Sequence, residues 1–135
     1  LELVSGLYGL RVDQEGLLQA LDRVGLARSK DRIVRQFSRG MTQRLALARL
    51  MLVDPAVWLL DEPASGLDDV GRDWLQDEIT QLKARGRIIA IASHSRHLVG
   101  SLATHAVVLR KGRVAYAGAV EDSAHVDRLF AESIG

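Results

Sequence analysis

Apolar residues change their spacing several times along this chain, and each change predicts an element. Leu17, Leu18, Leu21, Val24 and Leu26 recur at helical spacing. Residues 1–35 therefore predict short helices, one of them stopped by Gly25. Between Met41 and Leu52, Leu45, Ala48 and Leu52 share one stripe with Arg44 and Arg49 off it. That pattern predicts a longer amphipathic helix, N-capped by Ser38 and broken at Asp54-Pro55. Val57-Trp58-Leu59-Leu60 is a continuous apolar run that ends at Asp61-Glu62-Pro63, as expected of a strand buried on both faces of a parallel sheet. Trp74 to Ala84 predicts a helix with Gly86 as its stop, and Ile88 to Ala92 a second buried strand. This β-α-β order is the right-handed crossover unit of α/β proteins. Ala106–Leu109 and Val114–Tyr116, joined by Lys111-Gly112, predict a hairpin, and Val120 to Phe130 a closing helix. No internal repeat or low-complexity segment is present.

Composition narrows the field. A chain of 135 residues suffices for one domain, and 47% hydrophobic with 26% charged residues is ordinary for a folded protein. The net charge of +1 provides no concentrated basic face. Arg35, Arg39, Arg44 and Arg49 read as a solvated helix surface, so no nucleic-acid partner is expected. There is no cysteine, which excludes disulfides and thiolate metal sites. Among four histidines, His94 and His97 stand three apart, but His105 and His125 offer no suitably placed third ligand, and no metal–histidine site is expected. No signal peptide is recognisable, and no apolar run approaches the roughly 20 residues needed to span a bilayer. Because the chain begins at Leu1 without an initiator Met, it is expected to be a fragment or a processed product.

Two segments carry chemistry. At the carboxyl end of the apolar run, where α/β sheets bind ligands, Asp61 could hold Mg²⁺ beside nucleotide phosphates, and Glu62 could orient or deprotonate an attacking water. Taken alone, Asp61-Glu62-Pro63 is equally an acidic turn closing a core strand. The second segment is Phe37-Ser38-Arg39-Gly40-Met41, leading into Thr42-Gln43-Arg44-Leu45-Ala46-Leu47-Ala48-Arg49. Here Ser38 caps a helix, Gly40 allows close backbone approach, and the free N–H groups favour a phosphate. Read alone, this is a well-capped helix.

The two segments occur together, with Ala64-Ser65-Gly66-Leu67-Asp68 after the acidic pair and Ala92-Ser93-His94 after the second strand. In this order they resemble the ATPase subunits of ABC transporters. Ser38-Arg39-Gly40-Met41 stands where that family has its signature, Asp61-Glu62 matches its Walker B pair, Ser65–Asp68 its D-loop and His94 its switch histidine. The resemblance implies an α/β, P-loop NTPase-like ABC ATPase fold in partial form. Residues 1–36 would be part of the helical subdomain, and 37–135 the signature helix and C-terminal half of the parallel-sheet core, with the N-terminal Walker A portion absent. It implies ATP and Mg²⁺ as cofactors. Asp61 would help hold Mg²⁺, Glu62 would act on the hydrolytic water, and His94 would touch the γ-phosphate. Ser38 and Gly40, with Arg39 and Met41 in the same turn, would meet the nucleotide of a second ABC ATPase subunit, and Asp68 would lie at that interface. A transmembrane permease is the other implied partner, which places the subunit in the cytoplasm, peripheral on the inner face of the membrane.

The departures bear on this reading. The family's commonest signature is Leu-Ser-Gly-Gly-Gln. Phe37, Arg39 and Met41 replace its Leu, first Gly and Gln. Met41 cannot close the Ser-x-x-Gln capping box, a loss of about 0.5–1 kcal/mol, whereas Arg39 adds a cation near the expected phosphate. Ala64 stands where Thr is more usual. The Walker A pattern G-x-x-x-x-G-K-[ST] occurs nowhere; Gly66 to Asp73 has its glycine spacing, but with Arg72, Asp73 and further carboxylates that would repel phosphate. The chain alone is therefore expected neither to hydrolyse ATP nor to fold well, since strands missing from the sheet would leave an apolar edge unpaired. The leading expectation is an energy-coupling subunit of an exporter, the signature looking similar to haem-exporter and drug or polysaccharide exporter ATPases. The alternatives are a non-catalytic module docking a membrane partner, and a soluble ABC ATPase of DNA repair or translation.

Overall fold

The computed structural model describes residues 1–134, with side chains as far as Ala131. Helices α1 (Glu2–Leu7) and α2 (Gln14–Arg23) and two short 3₁₀ turns at 27–29 and 34–36 precede α3 (Arg39–Val53). Then follow β1 (Val57–Asp61), α4 (Asp69–Ala84), β2 (Ile88–Ala92), α5 (Arg96–Leu102), β3 (His105–Arg110), β4 (Arg113–Ala119) and α6 (Ser123–Ile134). The expected α/β architecture is present: β1 and β2 pair in parallel, Val57 opposite Ile88 through Asp61 opposite Ala92, with α4 between them in sequence.

Helix α3 is flanked by apolar neighbours on two sides. Leu45 and Ala48 pack with Val24 and Leu26 of the preceding segment. Leu47, on another face, joins Trp58, Leu60, Leu67, Leu75, Ile79, Leu82, Leu98 and Leu102 in the main core. A helix lodged between two clusters needs apolar residues on more than one stripe, and for that reason Leu47 is buried although it lies off the predicted line. Trp58, 1% exposed, keeps its indole N–H satisfied by the Pro55 carbonyl at 2.9 Å. At the end of α3, Asp54 takes a left-handed conformation (φ 43°) and returns its N–H to Leu50. Its carboxylate pairs with Arg87, just before β2. That hydrogen bond, above all, holds the Asp54 carboxyl below the usual carboxylate range. Arg23 of α2 reaches Glu78 of α4 at 2.8 Å, tying the N-terminal helices to the crossover helix.

Several expectations need correction. Neither strand is buried on both faces. Trp58 and Leu60 are covered, but Val57 and Leu59 are 48% and 76% exposed, and Ile88 of β2 is 65% exposed. The alternation has a simple origin: among the described residues, the main core covers one face of β1 and nothing covers the other. Leu18 is also 40% exposed, because Ala20 and Val24 carry the buried face of α2 instead. Helix α4 begins at Asp69 and not at Trp74, since Asp68 caps it by accepting the Gly71 N–H at 3.0 Å. Helix α5 was not anticipated, although Ser95 caps it and Leu98 and Leu102, four apart, bury its inner face. The hairpin is longer than expected, with Lys111 (φ 50°) and Gly112 (φ 75°) forming a two-residue turn with both φ positive.

Between β2 and β3 lies an open cleft of about 930 Å³, walled by Ile88–Ala92 and His105–Leu109 in unbroken succession. Successive side chains of a strand point to opposite faces, so it is the two backbone edges that line this cleft. Unpaired edges beside exposed Val57, Leu59 and Ile88 form a template for aggregation. Purified alone, the 135-residue chain is expected to self-associate in light scattering, and Leu59→Glu to reduce that association. A monomer with a sharp cooperative melt would contradict the expectation.

Candidate functional site

The site grows from the carboxyl ends of β1 and β2. Asp61 is the last residue of β1, exposed and paired in register with Ala92. One residue further, the Glu62 N–H donates to the Ala92 carbonyl at 2.8 Å, so the ladder continues into the acidic pair. Glu62 itself has φ 43°, a left-handed conformation that costs a residue with a Cβ on the order of 1–3 kcal/mol. The strand thereby ends abruptly, and the Glu62 side chain meets the segment after β2. Its Oε1 accepts the His94 backbone N–H at 2.9 Å and lies 2.7 Å from His94 Nδ1. Its Oε2 accepts the Ser93 hydroxyl at 3.1 Å. These contacts, the His94 side chain foremost, hold the Glu62 carboxyl below its ordinary range. The His94 ring is otherwise open to solvent.

The second part of the site is the start of α3. Ser38 Oγ accepts the Met41 N–H at 3.2 Å, as the sequence predicts. A capping hydroxyl spends its oxygen as acceptor and keeps its proton to donate, so Ser38, which is exposed, can still donate to a phosphate oxygen. Gly40 has a packing reason beyond the expected close approach of a ligand: a Cβ there would lie 2.5 Å from the Gly66 carbonyl oxygen. Arg39 is exposed, and its Nη2 donates to Ser65 Oγ at 2.6 Å. Met41 packs beside the Val24–Ala48 cluster.

Asp68 serves two neighbours, capping α4 through Gly71 and accepting Arg44 Nη2 at 2.7 Å. The Gly71 N–H, first, and the Arg44 charge hold its carboxyl below the usual range. Because that carboxylate already occupies the N-terminus of α4, the glycine spacing of Gly66–Asp73 offers phosphate no vacant cradle, in keeping with its rejection as a P-loop. The structure thus joins Glu62 directly to His94 and places Asp61 beside them. Ser38 to Met41 lie across the 63–68 loop from this cluster. Sequence reasoning missed Ser93 and Arg44. Ser93 had a signal in its place next to His94; for Arg44 there was none, since its partner lies 24 residues away. A hard, exposed carboxylate at Asp61 suits Mg²⁺. Donors suited to phosphate are present in Ser38 and His94, although the chain contains no backbone cradle of the G-x-x-x-x-G-K-[ST] kind.

Known proteins resemble this chain in both sequence and fold. A family model described as ABC transporter matches residues 7–65. The chain is 34% identical over 134 residues to the lantibiotic transport ATP-binding protein SrtF of Streptococcus pyogenes, covering 99% of this chain and 58% of that protein. It is 38% identical over 120 residues to the phosphate import ATP-binding protein PstB 2 of Natronomonas pharaonis, covering 89% of this chain and 42% of that one. A solved ATP-binding subunit of an ABC transporter superposes with a TM-score of 0.83 at 25% identity, over 99% of this chain and 60% of the other. The fold is that of an ABC ATPase cassette in part. The chain spans 42% and 58% of the length of these two curated relatives.

The lowered acidity range of Glu62 has a testable sign. Its stabilising contacts are fully present above the ordinary carboxylate range and are lost as pH falls through the depressed value. In an NMR titration of the carboxyl carbon, His94→Ala should move the Glu62 midpoint upward, toward an ordinary glutamate. An unmoved midpoint would remove His94 as the main cause.

Proposed function

We infer that the chain belongs to the ATP-binding subunits of ABC transporters and that the protein carrying it couples ATP hydrolysis to transport. The observation that best supports this reading is the Glu62–His94 contact at the carboxyl ends of two parallel strands. Two residues 32 apart, each expected on independent motifs to face the terminal phosphate, touch at 2.7 Å. In the proposed mechanism, Asp61 helps hold Mg²⁺, which supplies neutralisation of charge on the phosphates. Glu62 is kept anionic by its hydrogen bonds and orients the attacking water or takes its proton. His94, tied to Glu62 through Nδ1, presents the rest of its exposed ring to the γ-phosphate. Ser38 and the backbone at Gly40 bind a nucleotide held by a second ATPase subunit, with Met41 in the same turn and Asp68 near the shared interface. Such an arrangement is a head-to-tail dimer that closes on ATP and reopens on hydrolysis.

No Walker A pattern occurs within these residues. We therefore assign the phosphate cradle to another part of the whole protein, take 1–36 as part of the helical subdomain and 37–135 as signature helix and core, and expect no hydrolysis from this chain alone. Export is the direction we favour: a fluoroquinolones export ATP-binding protein of Mycobacterium tuberculosis is 39% identical over 97 residues. The resemblance of the signature to haem-exporter subunits supports the same direction. The subunit would dock on a transmembrane permease from the cytoplasmic side; no described helix is long and apolar enough to cross the membrane itself.

In the intact protein, Glu62→Gln should lower ATP turnover by about 100-fold or more while ATP-driven dimerisation persists in size-exclusion chromatography. Turnover near the wild-type rate would refute the role given to Glu62.

A further inference from the structure

The loop after the acidic pair is held from one side by a single helix. Arg39, Gln43 and Arg44, spaced i, i+4 and i+5 on α3, reach it at three points. Arg39 Nη2 donates to Ser65 Oγ at 2.6 Å, Gln43 Nε2 to the Pro63 carbonyl at 3.1 Å, and Arg44 Nη2 to Asp68 Oδ1 at 2.7 Å. Between these ties the two backbones are nearly in contact. A Cβ on Gly40 would stand 2.5 Å from the Gly66 carbonyl oxygen, and a Cβ on Gly66 would stand 3.0 Å from Arg39 Cγ. The aliphatic stem of Arg39 therefore lies along Gly66 while its guanidinium reaches past to Ser65. Ser65 in turn donates its N–H to the Glu62 carbonyl at 2.9 Å. The connection runs without a gap from the first turn of α3, through Ser65, to the backbone of Glu62.

We propose that Arg39 is a positioning residue that locks the first turn of α3 to the 63–68 loop, so that Ser38 and the Asp61–Glu62 strand end keep one fixed register. In this arrangement its Nη2 serves Ser65 first of all. The argument rests on the functional reading above for its consequence in hydrolysis, but the lock itself is a property of the fold. It explains why a bulky cation can stand at position 39: the side chain runs along Gly66, which has no side chain to obstruct it. Nothing larger than hydrogen can stand at position 40 without moving that loop.

Amide hydrogen exchange on the intact protein tests the lock without reference to activity. The N–H groups of Ser65 and Leu67 are protected by the Glu62 and Ala64 carbonyls. Arg39→Ala and Ser65→Ala should each accelerate their exchange by about 2–10-fold, the worth of one net hydrogen bond. The double variant should go no further than either single one, because both remove the same bond. Ser65→Thr, which keeps the hydroxyl, should retain the wild-type rates, and Gly40→Ala should accelerate them with Arg39 intact. Unchanged exchange in Arg39→Ala, or additive effects in the double variant, would overturn the proposal. In ATP hydrolysis the same two alanine variants should lower kcat non-additively with KM for ATP little altered. A fall in Arg39→Ala that Ser65→Ala does not share would instead mark a direct phosphate contact and also overturn it. If the intact protein hydrolyses no ATP yet shows the exchange pattern, the lock stands and the functional reading fails.

Discussion

The parallel ladder between β1 and β2 is the constraint on which the rest depends. Five residue pairs keep Val57–Asp61 in step with Ile88–Ala92, and the Glu62 N–H extends the register by one further bond to Ala92. A slip of one residue would turn Trp58 and Leu60 out of the core. It would equally carry Glu62 away from Ser93 and His94, which follow β2 with no intervening loop. The site is therefore as precise as the strand pairing, and the core residues that enforce the pairing enforce the chemistry with it.

Charged side chains do the joining elsewhere. Arg23–Glu78, Arg87–Asp54 and Arg44–Asp68 each link elements distant in sequence. Exposed pairs contribute little stability singly. Their value here is geometric, since a forked guanidinium fixes direction as well as distance. Asp68 uses its carboxylate both to cap α4 and to hold Arg44, whereas Asp54 ends α3 through its left-handed backbone and leaves its carboxylate for Arg87.

Much of this was legible in the sequence, for reasons that differ between residues. Ser38 as a cap and Gly25 and Gly86 as stops follow from local rules whose partners lie close in sequence, and the parallel strand pair follows from the β-α-β order of the elements. The burial of β1 was not legible, because an apolar run shows that faces can be covered but not what covers them. Leu59 thus reads like Leu60, yet it is 76% exposed where Leu60 is 7% exposed. Helix α5 was missed because seven residues carry too few turns for periodicity to register, though Leu98 and Leu102 held the signal. At the site, motif order singles out Asp61, Glu62 and His94 as candidates, but the contact between Glu62 and His94 depends on the strand pairing; Gly40 reads as a place for ligand approach, whereas the packing of Gly66 also demands it. Arg39 reads from its charge as a phosphate neighbour, and the Ser65 hydroxyl, 26 residues away in sequence, comes within its reach only through the fold.

The left-handed backbone of Glu62 has a consequence for engineering. Glycine occupies that conformation without cost, and asparagine with little. A combinatorial library varied at position 62 and screened for folded yield would therefore drift toward those residues, and the sturdiest clones would have lost the carboxylate. At this position, thermal ranking and competence pull in opposite directions. A stabilised scaffold derived from this chain should keep residue 62 out of the search and take its gains from the exposed face of β1.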